Sequence, residues 1–452
     1  MGTGDRFTGS RDGRRRRRLL LLAAAVALTT AVLLALRPDA GPPPAGTGAP
    51  QAAAGPAEGT PSAPDVLGTA TRGSLAGDAA FLEGVLRRPW TVPESTVGPG
   101  IPDAPPETRR VVFAGDVPGG RWALVVGANS LAPGVPPDPP DRDLAVVWFG
   151  GPPGAPPEQM ALRTVPHHAP ADLPVAFADP GLGVLVVVAA PGDDVEVSAR
   201  PDIAGDGSAT RRFDPVAAPD GVAVAVLPPN DLPTTATVYR VSRGGDPVVQ
   251  TRPELDPAAP AARPPIRYPR GAPSPAGERV AERIATHVLA RLGLPGAAVD
   301  VTAQWVGDVS GPGPETGPAA VVTVTVPSGA VVVSAAWDLP SADGSPVRSE
   351  CALTIRPAGP PADRRVHAVA CDLFDGTAAG PRRSSLIVVG PPTVATVRAH
   401  GAGGDFLVEH PAADGVLVAP FPRGTATVEA ITAGGVSLGR VPLLGRAADF
   451  GS

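Results

Sequence analysis

The chain has 452 residues, and 55 glycines with 61 prolines make up about a quarter of it. Breakers at that density exclude a long-helical architecture, while 43% hydrophobic and only 18% charged residues exclude full disorder. The net charge is −6, and every one of the 38 basic residues is arginine. What remains is a chain of many short strands punctuated by turns, an α+β but mostly β fold.

Met1 to Arg18 is a basic tail ending in the unbroken run Arg14, Arg15, Arg16, Arg17 and Arg18. Leu19 to Leu36 follows without a charge, a proline or a glycine. As a helix it is about 27 Å long, close to the hydrocarbon thickness of a bilayer. The expectation is a single N-terminal transmembrane helix over residues 19–36. The arginine run orients it, with the N-terminus cytoplasmic and the bulk of the chain extracytoplasmic. A cleaved signal peptide fits less well. The apolar run is long, and the nearest cleavage point, after Ala40, has Pro38 where a small residue is wanted. Beyond the span the chain is acidic, which argues against nucleic acid and anionic lipid as main partners.

Residues 37–68 form a linker, and its stretch Arg37 to Val66 is rich in proline, alanine and glycine, with no hydrophobic period. Residues 69–252 are expected as a first extracytoplasmic unit, 253–273 as a second linker, and 274–452 as a second unit. Each linker precedes one helix. The first is expected from Ser74 as N-cap to Pro89, with Leu75, Ala79, Leu82 and Leu86 on one face. The second starts at Ser274 with Pro275 in the first turn and stops at Gly293. Its apolar stripe is Ala281, Ala285, Val288 and Leu292; Glu278, Arg279, Glu282 and Arg283 form its wet side.

Valine-rich runs follow each helix, and the two series resemble one another. Val111 to Val125 reads as strand, turn, strand, and is matched with Val321 to Ser334. Leu185–Val188 then Val195–Val197 answers Leu386–Val389 then Val394–Val397. Asp220-Gly221 before Val222 answers Asp414-Gly415 before Val416, and Thr235–Val238 answers Thr425–Val428. The expectation is two duplicated units, each one helix on an antiparallel meander followed by a small β-sandwich-like module.

Cys351 and Cys371 are the two cysteines. Folding the intervening segment as a hairpin about residue 361 sets them opposite each other, with Leu353, Ile355, His367 and Val369 on their face. Outside the membrane such a pair is expected as a disulfide. A metal site from Cys351, Cys371 and His367 lacks a fourth ligand.

Candidates for chemistry are thin. His167-His168 with Asp172 suits a surface loop better than a metal site, because neighbouring extended residues face opposite ways. Asp138, Asp141 and Asp143 read as a solvated connection, and Asp202 to Gly207 fails the calcium-loop pattern at Ala204 and Phe213. His287, His400 and His410 show no partner in sequence. Trp90, Trp122, Trp148, Trp305 and Trp337 read as core. No metal or cofactor is called for. Abundant alanine, glycine, proline and arginine without lysine match a GC-rich bacterial genome. The functional expectation is a membrane-anchored, non-catalytic binding or scaffold protein of the bacterial cell envelope. Its partners would be the lipid bilayer through residues 19–36 and an unidentified envelope protein or glycan. The alternatives are a cell-envelope hydrolase with a site between the two units, or an accessory component of envelope signalling.

Overall fold

The computed structural model describes residues 65–90, 104–129, 144–228, 230, 234–256, 263–341, 345–374, 382–445, 448 and 450–451, which belong to one compact body. The arginine run 14–18 and the apolar segment 19–36 lie outside the described residues. Among those described, no helix is long and apolar enough to cross a membrane.

The first half opens with helix α1 (Ala79–Leu86) and a meander of β1 (Arg110–Val117), β2 (Gly120–Ala128) and β3 (Leu144–Gly151). Two short strands, β4 (Ala161–Leu162) and β5 (His167–Ala169), share the outer edge of β3. Next come β6 (Val175–Asp179), β7 (Val184–Val188) and β8 (Asp194–Ser198). A hairpin of β9 (Pro201–Ile203) and β10 (Ala209–Arg211) follows, then β11 (Asp214–Val216) and β12 (Val222–Val226). The half ends with β13 (Val238–Arg243), β14 (Asp246–Thr251) and β15 (Glu254–Leu255). These last elements form two four-stranded sheets, ordered β12-β7-β6-β15 and β11-β8-β13-β14.

The second half runs in the same order. Helix α2 (Pro275–Leu292) precedes a meander of β16 (Asp300–Ser310), β17 (Thr316–Thr325), β18 (Val331–Pro340) and β19 (Pro346–Arg356). It continues through β20 (His367–Phe374), β21 (Arg382–Val389), β22 (Val394–Gly401) and β23 (Phe406–Pro411). It ends with β24 (Val416–Pro420), β25 (Thr425–Thr432) and β26 (Ser437–Pro442). The two closing sheets are ordered β20-β21-β24 and β23-β22-β25-β26.

Each half is a stack of four layers. In the first, Phe81 and Val85 of α1 pack on Val111, Ala123, Val125 and Val147 of the meander. The opposite meander face, with Trp122, Leu124 and Trp148, packs on Phe177, Val186 and Val188 of the next sheet. The far side of that sheet, through Leu185 and Val187, covers Val195, Val197 and Tyr239 of the last. In the second half, the stripe of Ala281, Ala285, Val288 and Leu292 meets Val301, Val322 and Val332 of the meander. Trp337 and Val321 pack on Val369 and Ile387, and Val388 and Leu386 on Val397 and Val428. A sheet buried on both faces reads as continuous valine rather than as alternation. Val146, Val147, Trp148 and Phe149 of β3 are accordingly all buried.

Several expectations need correction. Helix α1 begins at Ala79 under an Asp78 cap, whose side chain accepts from the Phe81 N–H. The Leu75 N–H donates to Ala114 O at 3.0 Å and the Ser74 hydroxyl accepts from Asp116 N–H, which ties the chain to β1 before the helix can start. The buried face therefore centres on Phe81 and Val85, with Leu75, Leu82 and Leu86 at its flank. Helix α2 has the expected ends: Ser274 Oγ accepts from Gly277 N–H and Gly293 closes it at φ 62°. Of the expected linker 37–68, residues 37–64 lie outside the described residues, and Val66 and Leu67 are fully buried against the tryptophans rather than part of a spacer. Within 253–273, β15 pairs parallel with β6, Arg267 bridges to Thr302, and Ile266 and Tyr268 pack on the second core. The described parts of that stretch are pinned, not spacer-like. Finally, β19 and β20 are not a two-stranded ladder: β19 pairs with β18 and β20 with β21. The Cys351–Cys371 disulfide, with Cα atoms 4.7 Å apart, joins two layers instead.

Candidate binding groove

The histidines and acids singled out in the sequence do not converge. His167 and His168 lie on β5, a short strand against β3 rather than a loop, and His167 Nε2 is 2.7 Å from Glu254 Oε1. Asp202 and Asp206 sit on the β9–β10 hairpin, where Asp206 Oδ1 accepts from the Ser208 N–H and hydroxyl. Those two donors hold the Asp206 carboxyl below its ordinary range. Asp138, Asp141 and Asp143 lie outside the described residues. His400 does have a neighbour: its Nε2 is 3.3 Å from Glu429 Oε2, and its ring meets Phe406 edge-on. His367 is buried with its Nε2 3.0 Å from Ala362 O, and burial pushes its pKa down to about 4. All five tryptophans are buried. Among the described residues, no group of histidine, cysteine and carboxylate side chains is placed to hold a metal ion.

One concavity does gather charge. Its volume is about 660 Å³, within the usual range for ligand sites. The floor is the wet stripe of α2: Arg279, Glu282, Arg283, Thr286, His287 and Ala290. This i, i+3, i+4, i+7 spacing puts them on one face, opposite the stripe that packs on the meander. Asp338 at the end of β18 and Arg348 on β19 form one wall, and Arg263 and Pro264 from the connecting stretch form another. Thr235 closes the groove from the first half, anchored where the Thr235 N–H and the Thr234 hydroxyl both donate to Ala290 O at 2.9 Å. The groove thus lies at the junction of the two halves.

Among the described residues, four guanidiniums here face two carboxylates, an excess of two positive charges in a chain of net charge −6. Asp338 is shared: one oxygen pairs with Arg283 and the other lies 3.4 Å from Arg348 Nε. Arg263 reaches Glu282 at 3.5 Å with most of its side chain in solvent. Behind the floor, His287 Nε2 is 3.9 Å from Glu350 Oε2, and Glu350 accepts from the Ser334 hydroxyl. Burial, with Arg291 and Arg283 nearby, pushes His287 below its ordinary value; burial pushes Glu350 up. Both shifts favour the neutral forms.

A second concavity, of about 490 Å³, is lined by Arg267, Tyr268, Asp300, Gln304 and Asp363. Its one lining arginine is already paired to Asp300, and Gln304 donates to Thr323 in the sheet interior. It is therefore the more self-satisfied of the two. Comparison with protein families, curated proteins and solved structures finds no match.

In the sequence, Arg279 and Arg283 fall on the wet side of α2 with nothing to mark them as a site. Arg263, Asp338 and Arg348 gave no local signal, because they reach the groove through sheet register and chain path.

Proposed function

We propose that this chain is a membrane-anchored, non-catalytic binding module of the bacterial cell envelope, presented outside the membrane, and that the groove on α2 is its binding surface. The observation that carries this reading is the arginine-rich concavity at the junction of the halves, with Arg279 lacking any carboxylate partner among the described residues. The apolar segment 19–36 and the arginine run 14–18 support the anchor and its orientation. The partner is an envelope protein or glycan. The common strand order of the two halves supports their origin as two copies of one unit.

Replacing Thr286 in the groove floor by a photo-crosslinking residue tests this in intact cells. The full chain should then capture a discrete envelope component, while the same residue at Asp246, exposed on β14, should not. Equal capture from both positions, or none from Thr286, refutes the assignment.

A further inference from the structure

Resting on that reading of the groove, we infer that its ligand is an anion carrying at least two oxyanion groups in series, phosphate or carboxylate. Guanidinium is a planar fork of five N–H donors that matches both groups bidentately. The groove supplies four such forks against two acids of its own, which occupy them only in part. Asp338 is divided between Arg283 and Arg348, so neither arginine has a full carboxylate to itself. Glu282 serves Arg263 alone, at 3.5 Å. Arg279 faces the groove with no carboxylate partner among the described residues. The positive excess runs against the sign of the whole chain, so it draws anions to this one place.

The remaining lining narrows the ligand further. Among the described residues, no phenylalanine, tyrosine or tryptophan lines the groove, which leaves a neutral sugar ring without the broad stacking platform it would use. Pro264, Ala290 and the aliphatic stems of the arginines give the ligand's backbone an apolar bed between these charges. The volume exceeds what one phosphate or carboxylate fills, which favours several charged groups over a single ion.

Direct titration of the full-length, detergent-solubilised protein tests the inference with three probes: inorganic polyphosphate, polygalacturonate and neutral dextran. Polyphosphate or polygalacturonate should bind and weaken steeply with salt; whichever binds more tightly identifies phosphate or carboxylate as the natural group. Dextran should not bind. Arg279→Ala should weaken binding about tenfold, and adding Arg348→Ala should weaken it further. Arg279→Lys, which keeps the charge but loses the fork, should fall between. Arg279 has no structural partner to lose, so an unchanged unfolding midpoint confirms that the variant is folded. Failure of both anionic probes, dextran binding as well as they do, or indifference to Arg279→Ala overturns the inference. If Thr286 crosslinking still captures a component, the binding reading survives that failure; if crosslinking fails too, both fall.

Discussion

The two halves keep one layered plan but close it differently, and their ladder registers show where. In the first half Val188 pairs with Val222 on one side and Val175 on the other; in the second, Val389 pairs with Val416 and His367. Val175 and His367 are thus counterparts, and four residues further on so are Asp179 and Cys371. The meanders align through the bulges in β1 and β16, which equate Leu124 with Val321. Opposite these lie Trp148 and Ala335, and the next pair, Phe149 and Ala336, faces Leu162 and Glu350. One residue beyond are Arg163 and Cys351. Where the second half has its disulfide, the first has an ion pair, Arg163 Nη2 to Asp179 Oδ2 at 2.5 Å. Both tie the meander to the adjacent sheet. The same position accepts a covalent or an electrostatic clasp because what the fold needs there is a link between layers.

A second correspondence is conserved in kind. Asp220 and Asp414 are the two non-glycine residues with positive φ among those described, at 53° and 54°. A side chain on the glycine after either would strike the carbonyl of Ala189 or Pro391. An arginine from the segment before each helix, buried Arg72 and half-buried Arg270, locks each turn. Arg72 donates to Ala189 O, Asp220 O and Val66 O; Arg270 donates to Gly390 O, Asp414 O and Gln304 O. The halves differ again at the β9–β10 hairpin, which has no counterpart between β22 and β23. Ile203 on that hairpin packs on the second half's core, and Gly205 O accepts from Ala358 N–H. The first half therefore spends its extra strands holding the second.

These contrasts can be broken one at a time. Replacing Asp179 and Asp256 together by alanine should have the largest effect, because it removes both carboxylates paired with the partly buried Arg163, the second lying 2.9 Å from its Nε. A loss of about 4 kcal/mol in urea unfolding is expected, and a loss below about 1 would make the ion pair incidental. Replacing both cysteines by alanine should lower stability by about 3 kcal/mol, the chain-entropy value for a bridge spanning 20 residues. His367 offers a pH test against its counterpart Val175. Folding holds this histidine neutral with its pKa pushed down to about 4, while the unfolded chain protonates it below about 6.5. The unfolded state then binds more protons, so the native state is fully favoured above that value and loses ground as pH falls towards 4. Between pH 7 and pH 5 the wild type should lose about 2 kcal/mol through this group, and His367→Val should remove that part of the slope. Asp220→Gly and Asp414→Gly should change stability least, by about 0.5 kcal/mol or less, and equally in both halves.

Much of this organisation was readable in the sequence, for local reasons. Ser274, Pro275 and Gly293 delimit α2 by short-range capping chemistry, and the Asp-Gly turns align the closing strands of both halves. The meanders do not align as the sequence suggests: Val111–Val125 resembles Val321–Ser334, whereas strand order and bulge set β1–β2 against β16–β17. Sheets buried on both faces leave undifferentiated valine runs that slide by a strand without penalty. The cysteine pair was legible, yet the hairpin drawn to explain it was not the fold. Its true counterpart, Arg163 with Asp179, bears no resemblance to cysteine. The groove was least legible, since Arg263, Arg279, Asp338 and Arg348 meet only through the path of the chain.

The equivalence of the two clasps is tested most directly by the double variant R163C/D179C in the full chain. If these positions match Cys351 and Cys371, a second disulfide forms on oxidation: the denatured, unreduced protein shows no free thiol, and peptide mapping links positions 163 and 179. A folded protein in which both new thiols remain free would contradict the equivalence.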